Sequence, residues 1–158
     1  MFGALIQHNM YDILLSAHSI LRWILLILMV VTIIDSLMRM YKPEDEADKK
    51  LALFSMIAMH LQVILGVVLY VVSPMVKAYM SGGKIMNDSV SRFWVVEHLV
   101  GMILAAILLT YGYSRSKKQV SHWARHRFIF VFYLVALIII LLMIPWTFRE
   151  VGEGRGWI

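Results

Sequence analysis

The stretch ILLSAHSILRWILLILMVVTIID, residues 13–35, decides the fold. Its interior holds one charge, Arg22, in a run otherwise uncharged, mostly apolar and long enough to cross a hydrocarbon core of roughly 30 Å, which takes about 20 helical residues. Lipid offers the backbone no hydrogen-bond partners, so the run must be a helix. A membrane strand would instead alternate in stretches of about ten residues. No basic segment precedes the run, it is too long for a signal-peptide core, and no small-x-small cleavage site follows, so it is expected to remain as an anchor.

Outward from this run, residues 51–72, 93–113 and 128–146 repeat the pattern, with no internal repeat and no low-complexity tract. The sequence therefore predicts an all-α integral membrane protein, a four-helix up-down bundle formed by one domain over residues 1–158. Composition agrees: 61% of the 158 residues are apolar and 16% charged, with a mean hydropathy of +0.76, far from the balance of a soluble domain. The chain has no cysteine, which removes disulfides, thiolate haem, iron–sulfur clusters, covalently attached haem and cysteine zinc sites together. The net charge of +5 lies in short segments between apolar runs rather than along one soluble face, so it does not point to nucleic acid.

Those charges set the expected topology. Arg39, Lys42, Lys49 and Lys50 follow span one, and Arg115, Lys117, Lys118, Arg125 and Arg127 follow span three. Lys77, Lys84, Arg92, Arg149 and Arg155 lie on the other side. Nine against five puts the two basic linkers in the cytoplasm and both termini outside, as in a bacterial inner membrane. The acidic cluster Glu44, Asp45, Glu46 and Asp48, after Pro43, reads as the solvated start of span two. The linker 73–92, with Pro74, Gly82 and Gly83, is expected to lie on the outer membrane surface as a cap over the bundle.

Function must then reside in polar groups that lipid would penalise: His18 and Arg22 in span one, His60 and Gln62 in span two, Glu97 and His98 in span three, and His126 at the mouth of span four. At about 1.5 Å per residue, His18 and His98 each lie roughly 8 Å inside spans that start on the outer face. They share a level on parallel helices, which are diagonal neighbours in an up-down bundle. That suits one planar haem with an imidazole on each side, a ligation that favours electron transfer over binding at the iron. Gly101, one turn beyond His98, is expected to let the porphyrin approach the backbone. Arg22 shares the face of His18 and is expected to pair with Glu97 or a haem propionate. His60 enters from the cytoplasmic side and lies roughly 14 Å deep; a second haem between His60 and His126 is the alternative, against a depth mismatch of more than about 10 Å. Otherwise His60 is a hydrogen-bond donor near the cofactor or part of a proton path.

His8 and His122 flank the spans and read as ordinary surface residues, and Trp23, Trp94, Trp146, Tyr11 and Tyr79 as an aromatic belt. The twelve methionines are mostly packing residues, although Met10, Met75, Met80 and Met86, with His8, make a cuprous site on the outer side conceivable.

Ala17-His18-Ser19-Ile20-Leu21-Arg22-Trp23, His60-Leu61-Gln62-Val63-Ile64-Leu65-Gly66, Glu97-His98, Arg125-His126-Arg127, Tyr133 and Pro145-Trp146 together resemble a family of small four-helix membrane proteins described as cytochrome b-like. Over spans one to three the chain is also similar to one half of haem A synthase, in which an early and a later helix each give a haem-ligating histidine. The resemblance implies a b-type haem held by His18 and His98. With only one four-helix half here, the oxidase chemistry of haem A synthase does not carry over without a dimer. The expected function is a membrane cytochrome relaying electrons between quinol and a redox partner or respiratory assembly. The competing expectation is a non-catalytic membrane subunit or copper-handling protein without haem.

Overall fold

The computed structural model describes residues 2–41, 50–83 and 85–153, with side chains from residue 9 onward. The acidic cluster 44–48 and Lys42, Lys49, Lys84 and Arg155 lie outside the described residues, as does the side chain of His8. The described chain is helical without strands: α1 (Phe2–Arg39), α2 (Lys50–Val72), α3 (Pro74–Ser81), α4 (Ser89–Arg92), a π-helical turn (Phe93–Glu97), α5 (His98–Lys117), α6 (His122–Met143) and a final 3-10 turn (Glu150–Gly152). Four stretches are long and apolar enough to cross a membrane: Asn9–Arg39, Lys50–Val72, Ser89–Lys117 and His122–Met143.

Each spanning helix buries one narrow seam. Leu25, Met29, Thr32 and Ser36 in α1 are spaced by four, three and four; Ser55, Met59, Gln62 and Leu69 in α2, Ala105, Leu109, Gly112 and Ser116 in α5, and His126, Ile129, Tyr133, Ala136 and Ile140 in α6 follow the same period. Alternating steps of three and four give the 3.5-residue repeat of left-handed bundle packing. Around the ring, α1 packs against α2 and α6, and α5 packs against α2 and α6, leaving α1 and α5 on a diagonal.

The distribution of polarity is that of a bundle in lipid. Thr32, Ser36, Ser55, Gln62, Ser116 and His126 are buried, whereas Ile24, Ile27, Ile64, Ile107 and Ile138 face outward. Interior hydroxyls find partners across helices: Thr32 Oγ1 and Ser55 Oγ lie 2.8 Å apart, and the Tyr133 hydroxyl donates to the Ala52 carbonyl at 2.6 Å. Small and polar residues between helices, with bulky aliphatics outside, reverse the soluble pattern and suit association in hydrocarbon.

Three of the four spans have boundaries that differ from those read in the sequence. The first helix begins at Phe2 rather than residue 13, because the polar residues Gln7, Asn9 and Asp12 do not interrupt a helix that continues out of the apolar zone. The fourth begins at His122, six residues before residue 128, since Ser121 caps it by accepting from the Ala124 N–H at 3.1 Å. It ends at Met143, where Ile144 turns extended before Pro145. The third begins at Ser89 behind its N-cap Asp88, then passes through a π-helical turn that hydropathy does not signal.

The linker 73–92 is structured. Ser73 caps α3 through the Val76 N–H, Pro74 occupies its first turn, and Val76 is buried against the bundle. Helix α3 packs against α2 and the π-helical turn, covering one end of the bundle.

Candidate functional site

Beneath that cap lies a cavity of about 470 Å³, a size ordinary for a ligand site. His18, Arg22, Gln62, Tyr70, Trp94 and His98 supply its polar and aromatic wall; Leu25, Leu69, Met102, Ile140 and Ile144 supply apolar surface. His18 and His98 also line a smaller space of about 30 Å³ beside it, so the two imidazoles of the diagonal helices face common volume.

The π-helical turn sets the position of His98. An i→i−5 bond, from the His98 N–H to the Phe93 carbonyl, shifts the face on which every later residue of span three falls. The hydroxyl of Tyr70 donates to the Val95 carbonyl at 3.0 Å, tying α2 to the turn. Phe93 and Trp94 flank the His98 ring, each with its centroid 5.8 Å away. At 2.7 Å from the Met143 carbonyl, His98 Nδ1 must carry the hydrogen, because a carbonyl can only accept. The lone pair is therefore on Nε2, the arrangement in which a histidine serves a metal.

Gln62 sets the tautomer of His18. Its amide donates to His18 Nε2 at 3.2 Å and to the His18 carbonyl at 3.0 Å. Nε2 thus bears the lone pair here too, while Nδ1 is buried with no hydrogen-bond partner among the described residues, as is Gln62 Oε1. A Cβ on Gly66 would lie 3.2 Å from His18 Cε1, so the ring rests directly on this glycine.

The other residues singled out in the sequence fall elsewhere. Gly101 does not open space beside the cavity: a Cβ there would meet the side chain of Met143 at 2.5 Å, so this glycine admits α6. Glu97 does not pair with Arg22, since its carboxylate accepts from Arg92 Nε at 2.7 Å at a half-exposed position. Arg22 lines the cavity with its guanidinium 5.5 Å from the Trp23 ring centroid. His60 is exposed on the outside of the bundle. His126 is 1% exposed instead of lying at a surface, because α6 starts early enough to carry it inward. Its ring centroid lies 4.6 Å from that of His122 with the two planes tilted at 54°, and neither of its nitrogens has a hydrogen-bond partner among the described residues. The His60 and His126 helices are diagonal, with His60 on the lipid side, so the structure does not bring this pair together.

Among the described residues no three His, Cys, Asp or Glu side chains cluster as a metal site. Met75 lines the cavity, whereas Met10, Met80 and Met86 are exposed.

Sequence reasoning missed the π-helical turn, the Met143 carbonyl and Tyr70. The signal for α2 was present: Gln62, Gly66 and Leu69 share one helical face, whereas His60, about 200° from Gln62, must point away from it.

No protein-family model matches the chain, and no curated protein or solved structure does so.

Proposed function

We propose that this protein is a membrane b-type cytochrome, an electron carrier whose single haem is held between His18 and His98. The observation that carries the reading is the pair itself: two histidines on diagonal helices, both with the lone pair on Nε2, bordering one cavity. The residues fit the group in three further respects. The cavity is largely apolar, as a porphyrin face requires. The buried His18 Nδ1 and Gln62 Oε1 lack partners among the described residues, a state that rearrangement of the Gln62 amide on loading would relieve. Arg22 on the wall is the cation suited to a propionate.

Bound there, the haem supplies reversible one-electron chemistry. His98 is oriented by the Met143 carbonyl and the rings of Phe93 and Trp94. His18 is oriented by Gly66, and Gln62 would have to give up its contact with Nε2 for that nitrogen to hold the group. Held by both imidazoles, the group would have no position for substrate, which supports electron relay over oxidase chemistry. The charge distribution supports a site near the outer face of a bacterial inner membrane, with both termini outside.

The test is the pyridine haemochrome and reduced-minus-oxidised spectrum of the purified protein. One b-type haem per chain is expected, with the low-spin spectrum lost in His18→Ala and His98→Ala and kept in His122→Ala. A normal spectrum in His98→Ala would overturn the assignment.

A further inference from the structure

Helix α6 ends in a row of carbonyls that all find donors, and one of those donors is His98. Ile140 accepts from the Ile144 N–H at 3.0 Å, Leu141 from the Trp146 indole at 2.9 Å, Leu142 from Arg149 Nη1 at 2.6 Å and Met143 from His98 Nδ1 at 2.7 Å. Ile144 accepts from the Trp146 N–H at 2.9 Å and again from Arg149 Nη1 at 3.3 Å. Arg149 thus holds the carbonyls on either side of the one that His98 uses. The C-terminal end of a helix suits a cation, and Arg149 makes no ion pair with a carboxylate among the described residues.

The same segment reaches both rings that flank His98. The Arg149 guanidinium lies 5.3 Å from the Phe93 ring centroid, and the Trp94 indole donates to the Val151 carbonyl at 3.1 Å. Phe93 and Trp94 are the rings whose centroids each lie 5.8 Å from that of His98. The 3-10 turn folds the segment tightly onto itself, since a Cβ on Gly152 would collide with the carbonyls of Pro145 and Trp146. Residues 144–152 lie beyond the spanning part of α6, yet they touch the acceptor of His98 and both of its neighbours. A cap on α6 accounts for the bond to Leu142. It does not account for the hold on Phe93 and Trp94.

We propose that the segment 144–152, acting through Arg149, presets the His98 imidazole for ligation, with Arg149 a positioning residue that does not itself line the cavity. Two consequences separate this role from that of a cap. A ring ordered in advance need not be ordered on binding, which is worth about three- to tenfold in affinity. The Arg149 charge, with no carboxylate beside it and one ring away from His98, also favours the reduced form of a haem held there, because a fixed cation in a poorly polarisable setting opposes the added charge of the ferric state. The hold on the His98 ring stands whatever the ring binds; the effect on the haem rests on the cytochrome reading.

The experiment reads His98 in the apoprotein and the haem in the loaded protein, both in lipid nanodiscs. With nitrogen-15 histidine, the His98 signals, identified by their loss in His98→Gln, are expected to show one fixed tautomer with the hydrogen on Nδ1. In Arg149→Gln they should broaden or merge as the ring exchanges tautomers, and Arg149→Lys, which keeps a donor and the charge, should recover them. Trp94→Phe keeps a ring beside His98 and loses the bond to Val151; the same broadening is expected there, so the reading does not depend on Arg149→Gln folding well. In the loaded protein, Arg149→Gln should release haem about three- to tenfold faster and have a lower midpoint potential, with the potential recovered in Arg149→Lys. Sharp, unshifted His98 signals in Arg149→Gln together with a lowered Tm would reduce Arg149 to a cap and overturn the proposal, as would unshifted signals in Trp94→Phe or an unchanged potential in loaded Arg149→Gln. Protein that takes up no haem, yet shows the Arg149-dependent His98 signals, refutes the cytochrome reading alone.

Discussion

Gln62 donates both of its amide hydrogens to His18, one to the ring at Nε2 and one to the backbone carbonyl, at 3.2 and 3.0 Å. Two helices are joined at the point where the proposed iron ligand needs its lone pair. The contact holds His18 in the tautomer with the lone pair on Nε2, and the same contact occupies that lone pair.

The consequence is a variant that separates competition from support. If Gln62 competes for Nε2, Gln62→Leu should bind haem at full stoichiometry, with affinity raised by up to about tenfold for the removal of one hydrogen bond. Haem titration of the apoprotein measures this. Loss of haem in Gln62→Leu to the extent seen in His18→Ala would mean that the amide supports the imidazole rather than competing with it.

The two glycines near the histidines should respond in opposite ways. Gly66→Ala presses a methyl against His18 Cε1 at 3.2 Å, and the ring must give by a few tenths of an ångström. Its expected effect is on the haem spectrum and midpoint potential, with stability little changed. Gly101→Ala meets Met143 instead, and overpacking there is expected to cost about 1–3 kcal/mol in unfolding free energy while the spectrum is kept. Spectroscopy and denaturation of the two variants together check the assignment; a spectral change confined to Gly101→Ala would restore the role read for it in the sequence.

Span number and the diagonal placement of His18 and His98 were legible because hydropathy and chain order determine them. The faces were less so. Depth alone makes His60 a candidate haem ligand, although its spacing from Gln62 already places the two on opposite sides of α2. Arg92, not Arg22, takes Glu97, because the π-helical turn rotates span three between residues 93 and 97 and no hydropathy pattern marks such a turn. Hydropathy puts His126 at a surface because residues 121–127 hide a helix start that depends on the Ser121 cap.

Topology is open to direct measurement at two exposed positions. Met86 follows the cap helix and is 66% exposed, and Val120 lies between α5 and α6 at 94%. With the basic linkers in the cytoplasm, Met86→Cys should react with an impermeant maleimide added to intact cells, and Val120→Cys only after permeabilisation. The reverse pattern would place the cavity on the cytoplasmic side.

Asp88 caps the entry to span three, accepting from the Ser91 N–H at 2.7 Å, and this backbone hydrogen bond holds its carboxyl below the ordinary value of 3.8. A carboxyl with a lowered folded-state pKa stabilises fully above its unfolded value, and the contribution is lost as pH falls through the folded one. The difference in Tm between wild type and Asp88→Ala should therefore be constant at neutral pH, begin to shrink near pH 4 and vanish only below that. A difference that grew on acidification would contradict the cap.

Thr32 and Ser55 test whether the interior hydroxyls hold the bundle together. Both are fully buried, 2.8 Å apart on adjacent helices, and Thr32 also reaches the Leu28 carbonyl at 2.7 Å. That second contact uses the Thr32 hydrogen, so Ser55 is the donor between the two side chains. Ser55→Ala removes the donor and leaves Thr32 Oγ1 with a lone pair in a dry interface. Thr32→Val removes the acceptor while nearly preserving shape, and leaves a hydroxyl able to turn to its own backbone. Ser55→Ala is thus expected to be no less costly than Thr32→Val, and the double mutant to cost less than the two changes added. The coupling energy should be about 0.6 kcal/mol and at most near 1.7, the range for hydrogen bonds between membrane helices. Reversible unfolding in mixed micelles of wild type, both single variants and the double variant measures it. Strict additivity would mean that the 2.8 Å contact contributes nothing, leaving helix association in this half to the packing of Met29, Met59 and Leu109.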